Sequence, residues 1–265
     1  MFHDDMTDRV RLVARAHGAD LVGIVKTADL PEHKDSILRI LPDADSLVVL
    51  ASKHGLAAIS SPNNQVAQFD TIHTYNACAE AAHHTSRLLE SEGFASVAVP
   101  AFIPLDMEKP KHGMKGEICW RRAGVRSGLG SYGENGLLVT KEFGSAVRIS
   151  GVVTTADLRA DAPMGEDVCN HCMACIEACP AGALSGGGKI NKKSCGDEIF
   201  KFGFRYFRGF VKALIENRPA ETEKILEGTG LMEMWQTFMT GNYYYCFKCQ
   251  SQCPATKLPP ESRLS

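Results

Sequence analysis

Eight of the ten cysteines stand in one arrangement: Cys169-x2-Cys172-x2-Cys175-x3-Cys179-Pro180, then Cys195, then Cys246-x2-Cys249-x3-Cys253-Pro254. That spacing suits two [4Fe–4S] clusters. A cubane needs four converging thiolates; a C-x2-C-x2-C run wraps three around one cube, and the cysteine before proline serves the other. Cys169, Cys172 and Cys175 are expected to hold cluster one, with Cys253 arriving from the second run. Cys179, Cys246 and Cys249 are expected to hold cluster two. Cys195, the one other cysteine in this half, supplies the fourth ligand. Cys78 and Cys119 are left over and read as small buried side chains. Proline after Cys179 and Cys253 fixes a backbone angle and stops the local turn from continuing as helix.

Other cysteine chemistries fit less well. Disulfide frameworks belong to short secreted chains. Here Asp4, Asp5 and Asp8 stand where a secretory leader carries its basic residues. Zinc accepts C-x2-C pairs, but three cysteines at successive x2 spacings serve separate tetrahedral sites poorly. A reducing cytoplasmic setting is therefore expected, with oxygen-sensitive clusters and an anaerobic or microaerobic habit. The 29 basic and 31 acidic side chains, net −2, give no global attraction to nucleic acid or acidic membranes. No apolar run approaches the ~20 residues of a membrane span.

The elements that must position these cysteines divide the chain near residue 160. Residues 1–160 alternate helical and strand patterns and read as an α/β domain. A short helix ends near Gly18, Ala19–Val25 and Ser46–Ala51 read as strands, and Gln65–Glu92 reads as a long helix capped by Gly93. Ala95–Ala101 is a further strand, and Leu137–Val139 with Val147–Thr154 read as a closing pair. Asp161–Gly165 reads as a linker. Residues 161–265 have the character of a ferredoxin-like two-cluster domain, in which clusters supply the folding energy that a small apolar core lacks. Residues 196–242 form an insertion of two or three helices.

From Ala123 through Leu138 the chain resembles the epoxyqueuosine reductase family. Gly128-Leu129-Gly130-Ser131-Tyr132-Gly133-Glu134-Asn135 corresponds to that family's G-L-G-x-x-G-K-N, and Phe143-Gly144-Ser145 follows where its F-G-S stands. Glu108-Lys109-Pro110 resembles its L-E-K-P, and the eight cysteines match its double-cluster domain. Respiratory reductive dehalogenases share the plan. The resemblance implies an α+β protein with a nitroreductase-like, cobalamin-reductase-like N-terminal domain, followed by the ferredoxin-like domain. It implies that the clusters feed single electrons to a corrinoid. Gly128, Leu129, Gly130, Ser131, Gly133 and Asn135 would face that cofactor. A low-potential donor such as ferredoxin or flavodoxin would supply the electrons.

The sequence also departs from this family. Phe102 stands where the catalytic aspartate is expected, Glu134 replaces the lysine of G-K-N, and the family's R-D-Y-H is matched only loosely by Asp70, His73 and Tyr75. Tyr75 and Asp106 are the candidate substitutes for the proton donor. No tRNA-binding helical repeat follows Cys253, so action on tRNA is not expected. Two further readings stay open. The chain could be a non-catalytic electron carrier or reductive activator of a separate corrinoid or redox protein, or FMN could replace the corrinoid on the same scaffold.

Several residues carry two readings. Lys201, Arg205, Arg208 and Lys212 share one helical face, interleaved with Phe200, Phe204, Phe207 and Phe210. They form either a docking face for an acidic partner or a solvated surface that offsets cluster charge, and the second is preferred. Tyr243-Tyr244-Tyr245 either shields a cluster or packs ordinarily. His171, inside the first cysteine loop, could tune a cluster through a hydrogen bond.

Overall fold

The computed structural model describes residues 5–100, 116–241 and 244–256. Its first half is built on an antiparallel four-stranded sheet, in which β1 (Leu21–Lys26), β2 (Ser46–Lys53), β6 (Val147–Thr154) and β3 (Ser96–Val99) lie side by side in that order. Helix α1 (Met6–Ala16) starts on Asp5, whose carboxylate accepts the Thr7 amide at 3.1 Å. Strand β1 (Leu21–Lys26) and helix α2 (Lys34–Ile40) precede β2 (Ser46–Lys53). The one-turn α3 (Leu56–Ser60) leads to the long α4 (Asn64–Ser91), capped by Asn63 and terminated at Gly93, whose φ of +89° only glycine adopts freely. Strand β3 (Ser96–Val99) and helix α5 (Trp120–Arg126) come next.

Alternation along β2 explains the layering. Val48 and Leu50 face Val10, Ile24, Ala81, Leu89 and Val152 under α1 and α4. Leu47 and Val49 face Val25, Ile37, Trp120, Ala123 and Val153 under α2 and α5. Both faces are covered, which is why Ser46–Ser52 reads as an unbroken buried run. Every pairing in this sheet is antiparallel.

The expected closing pair is not a pair. Strand β4 (Ser131–Tyr132) pairs with β5 (Leu138–Val139) in a separate ribbon, while β6 (Val147–Thr154) lies between β2 and β3 in the main sheet. The expected linker is anchored at its start. The Asp161 carboxylate accepts from Arg11 at 2.7 Å and from the Ile24 amide at 2.8 Å.

The second half consists of loops and helices: the one-turn α6 (Ala174–Glu177), α7 (Lys192–Ile199), α8 (Phe204–Ile215), α9 (Pro219–Glu227), α10 (Gly230–Thr240) and the one-turn α11 (Lys248–Ser251). The insertion thus contains three complete helices. Lys201 precedes α8 rather than sharing its face with Arg205, Arg208 and Lys212. No helix among the described residues is long and apolar enough to cross a membrane.

Candidate metal centre

Each cysteine run ends in the same local device, a single helical turn followed by Cys-Pro. Cys175 lies in α6 and Cys249 in α11, and these two turns pack against each other. Ahead of α6 the loop is held in an unusual backbone path, with His171 (φ +53°) and Met173 (φ +61°) both in the left-handed region. Side-chain branching makes that region costly for non-glycine residues, by about 1 kcal/mol or more each, so surrounding contacts must hold it. They are present. Ser131 Oγ accepts from the Val168 and Cys169 amides at 3.0 and 3.2 Å, and Asp167 accepts from the Cys169 amide at 2.9 Å.

The loops bring the eight cysteines into two groups. Cys169, Cys172, Cys175 and Cys253 line one cavity, and the Cys175 thiol feels the other three electrostatically. The Cys195 thiol faces Cys246 and Cys179, and Cys249 faces Cys246, Cys195 and Cys179. Cys249 also feels Cys175, so the two groups adjoin. Burial first, then the neighbouring thiols, pushes Cys195 up to about 11 and raises Cys175 and Cys249; Cys246 is raised by burial, then by Glu198 and Cys179. Crowded, desolvated thiols resist ionising alone; cations among them reverse that preference. Among the described residues no three His, Cys, Asp or Glu close around a single ion. A cubane takes four thiolates spread over its four irons, the donor type and number that each of these groups offers.

The glycine segment is the platform on which these loops rest. A Cβ at Gly130 would strike the Val139 carbonyl, one at Gly128 (φ +71°) the Ala162 carbonyl, and one at Gly136 (φ +69°) Ile190 and Gly188. These glycines are therefore occupied by the chain's own close packing. Leu129 packs against the core cluster under α5, and Gly133 turns back at the ribbon to accept Gly136. Asn135 donates to the Cys249 carbonyl at 3.4 Å. Glu134 bonds His171 Nδ1 at 2.6 Å and accepts the Gly187 amide, and the bond to His171 holds its carboxyl below the usual range. His171 also meets Asp167 at 3.1 Å. The second run docks on Phe143-Gly144-Ser145: Thr256 Oγ1 accepts the Ser145 amide at 3.1 Å, and Gln250 donates to the Ser145 carbonyl at 2.9 Å.

Of the two candidate proton donors, Asp106 lies outside the described residues, as do Phe102 and Glu108-Lys109-Pro110. Tyr75 lines a cavity between α4 and β3 with Cys78, Ala82, Val99 and Ser150. Cys78 is buried, its thiol donating to the Arg148 carbonyl at 3.2 Å, and Cys119 stands half-buried at the start of α5. Sequence reasoning passed over Arg148 and the His54–Asp70 pair. Arg148 sits between the rings of Tyr75 and Tyr244, its guanidinium carbon 4.8 and 4.3 Å from their centroids. His54 Nδ1 meets Asp70 Oδ2 at 2.6 Å. The available signal was one arginine inside the apolar strand Val147–Thr154.

Residues 164–185 match the family model of a 4Fe-4S binding domain. The chain is 26% identical over 220 residues to an epoxyqueuosine reductase of Bacillus cereus, a match covering 82% of this chain and 50% of that protein. It is 29% identical over 143 residues to a tetrachloroethene reductive dehalogenase of Dehalobacter restrictus, covering 53% of this chain and 23% of that one. The chain thus spans half the length of the first relative and less of the second. In fold it is similar to the structure of epoxyqueuosine reductase from Streptococcus thermophilus, with a TM-score of 0.55 and 17% identity over 95% of this chain and 66% of that one. In sequence the chain is thus similar to epoxyqueuosine reductases and reductive dehalogenases, in fold to epoxyqueuosine reductase, and it carries a 4Fe-4S binding segment.

Proposed function

We propose that this protein is an iron–sulfur oxidoreductase holding two [4Fe–4S] clusters, one on Cys169, Cys172, Cys175 and Cys253 and the other on Cys179, Cys195, Cys246 and Cys249. The observation that carries the reading is the crossing of the two runs, since each group of thiols draws on both. Bound there, the clusters supply one-electron transfer. The chain contributes ligands, a platform that fixes the loops, and burial that excludes water. The acceptor we propose is a corrinoid associated with the first half, and the substrate is not tRNA, since phenylalanine stands where the family's catalytic aspartate is expected. Low-potential ferredoxin or flavodoxin is the proposed donor, and the cytoplasm the proposed location.

A second reading, an electron carrier that activates a separate corrinoid or redox protein, is favoured by one specific observation. The glycines expected to approach a cofactor, Gly128, Gly130 and Gly133, are packed against Ala162 and Val139 of the chain itself. Anaerobic reconstitution followed by titration with hydroxocobalamin and gel filtration separates the two. About eight irons per chain, four per cubane, with corrinoid retained near one per chain supports the first. The same iron content with no corrinoid retained supports the second. Iron near half that value, with both cysteine groups intact, overturns the two-cluster reading.

A further inference from the structure

We propose that Arg148 raises the reduction potential of the centre on Cys179, Cys195, Cys246 and Cys249 above that of its neighbour, an inference that rests on the two-cluster reading. Arg148 projects from β6, a strand buried on both faces, and is itself only 9% exposed. Its guanidinium lies between two aromatic faces, Tyr75 from α4 and Tyr244 from the approach to the second cysteine run. A cation between two rings is attracted to both, and arginine does not lose its proton in that setting. The charge is therefore permanent and poorly solvated.

Tyr244 ties that charge to one centre. It stands two residues before Cys246 with the guanidinium 4.3 Å from its ring centroid, and it lies within electrostatic reach of Cys249 and Cys195. The same guanidinium is felt by His54 and Cys78. Other ionic groups at this centre are Arg121 near Cys195, and Lys201 with Glu198 near Cys246. Around the first centre the balance differs. Glu134 and Asp167 flank its loop, tied to the half-exposed His171. Reduction adds one negative charge to a cluster. A buried cation nearby stabilises the reduced form and carboxylates oppose it, because charge couples strongly where water is excluded. The two centres are thereby separated in potential, and electrons settle on the one nearer Tyr244.

The test is an EPR-monitored redox titration of the reconstituted full chain, with iron and sulfide measured on each sample. Wild type, Arg148→Gln and Arg148→Lys are compared, and Cys195→Ser marks which couple belongs to the second centre. Arg148→Gln is expected to keep the wild-type iron content and move that couple alone to more negative potential. At the wild-type midpoint its reduced-to-oxidised ratio falls about tenfold, which is about 59 mV for one electron. Arg148→Lys, which keeps the charge, stays close to wild type. Both couples unmoved in Arg148→Gln, or both moved equally, overturns the proposal. If Arg148→Gln takes up no iron, Tyr75→Leu replaces it: this opens one face of the stack from α4, away from the ligands. A smaller negative shift of the same couple supports the proposal, and no shift overturns it. Wild type lacking about eight irons fails the two-cluster reading instead.

Discussion

The two halves of this chain are held by different means. In the first, Ile24, Leu47, Leu50, Leu89 and Leu158 are fully buried around one sheet, each contributing about 2 kcal/mol by leaving water. In the second, the exposed side chains include Phe204, Leu214, Ile215, Trp235 and Met239, and the first cysteine run passes through left-handed backbone at His171 and Met173. A core can organise the first half unaided. The second depends on ligation, and on docking to Ser131, Asn135 and Ser145 of the first. That difference teaches where stability and redox chemistry would couple: losing iron is expected to cost the second half its fold and to leave the sheet standing.

The largest effect therefore follows iron removal. Chelation is expected to remove stabilisation on the order of 10 kcal/mol from the cysteine half, the scale of structural metal sites. Hydrogen exchange should then show amides of 168–253 losing protection while those of β1, β2 and β6 keep theirs. Equal loss in both would break the comparison and make the chain one cooperative unit.

Next comes the joint between the halves. Gly144 has φ +56°, and a Cβ there would meet the backbone of Ala255 and Thr256. Gly144→Ala is expected to cost about 3 kcal/mol, combining left-handed strain with a clash that backbone cannot relieve. Gly182, also left-handed at φ +53° but facing open space, is the control: Gly182→Ala should cost about 1 kcal/mol. Urea denaturation of the reconstituted proteins measures both, and equal costs would show that the docking contact carries no weight.

A third test concerns His54, which packs edge-on against Phe247 of the second half. Burial, with the Arg148 charge second, lowers His54 from 6.5 to about 4 despite its bond to Asp70. Between pH 6.5 and 4 the unfolded chain binds a proton that the folded chain refuses. Stability is therefore complete above about 6.5 and falls as the pH drops toward 4, by about 2 kcal/mol at pH 5. His54→Gln is expected to remove this share of the acid sensitivity, seen as a shallower change in urea midpoint between pH 7 and 5. An unchanged slope would mean that His54 does not titrate in this window.

Much of this was legible in the residues, and unevenly so. Cysteine spacing announces its chemistry because four thiolates must meet at fixed geometry, and the strands at Ser46 and Val147 are apolar enough to read directly. The pairing of those strands was not legible: periodicity reports which face is buried, not which neighbour is bonded, so β6 was assigned to β5 instead of to β2 and β3. That the glycine segment faces a cofactor is what the resemblance implies; the glycines themselves say only that something comes close. The carbonyls of Val139 and Ala162 are the close neighbours of Gly130 and Gly128 within the chain. Arg148 went unnoticed because its aromatic partners lie 73 residues before and 96 after it in sequence.

The smallest expected effect tests the exposed helices. The basic residues interleaved with phenylalanine are largely engaged within the chain. Arg205 meets Asp197, Lys201 meets Glu198 at 2.9 Å, and Lys212 meets Glu216 at 3.6 Å. This agrees with a solvated surface, and such exposed pairs are worth little. Ile215, 79% exposed at the end of α8, has almost no burial to lose. Ile215→Lys should change stability by less than about 0.5 kcal/mol and leave iron content untouched. A larger loss in urea denaturation, especially one that grows with protein concentration, would mean that this face is covered when the protein is intact. The second half would then owe part of its stability to association as well as to ligation, and the contrast between the halves would need redrawing at α8.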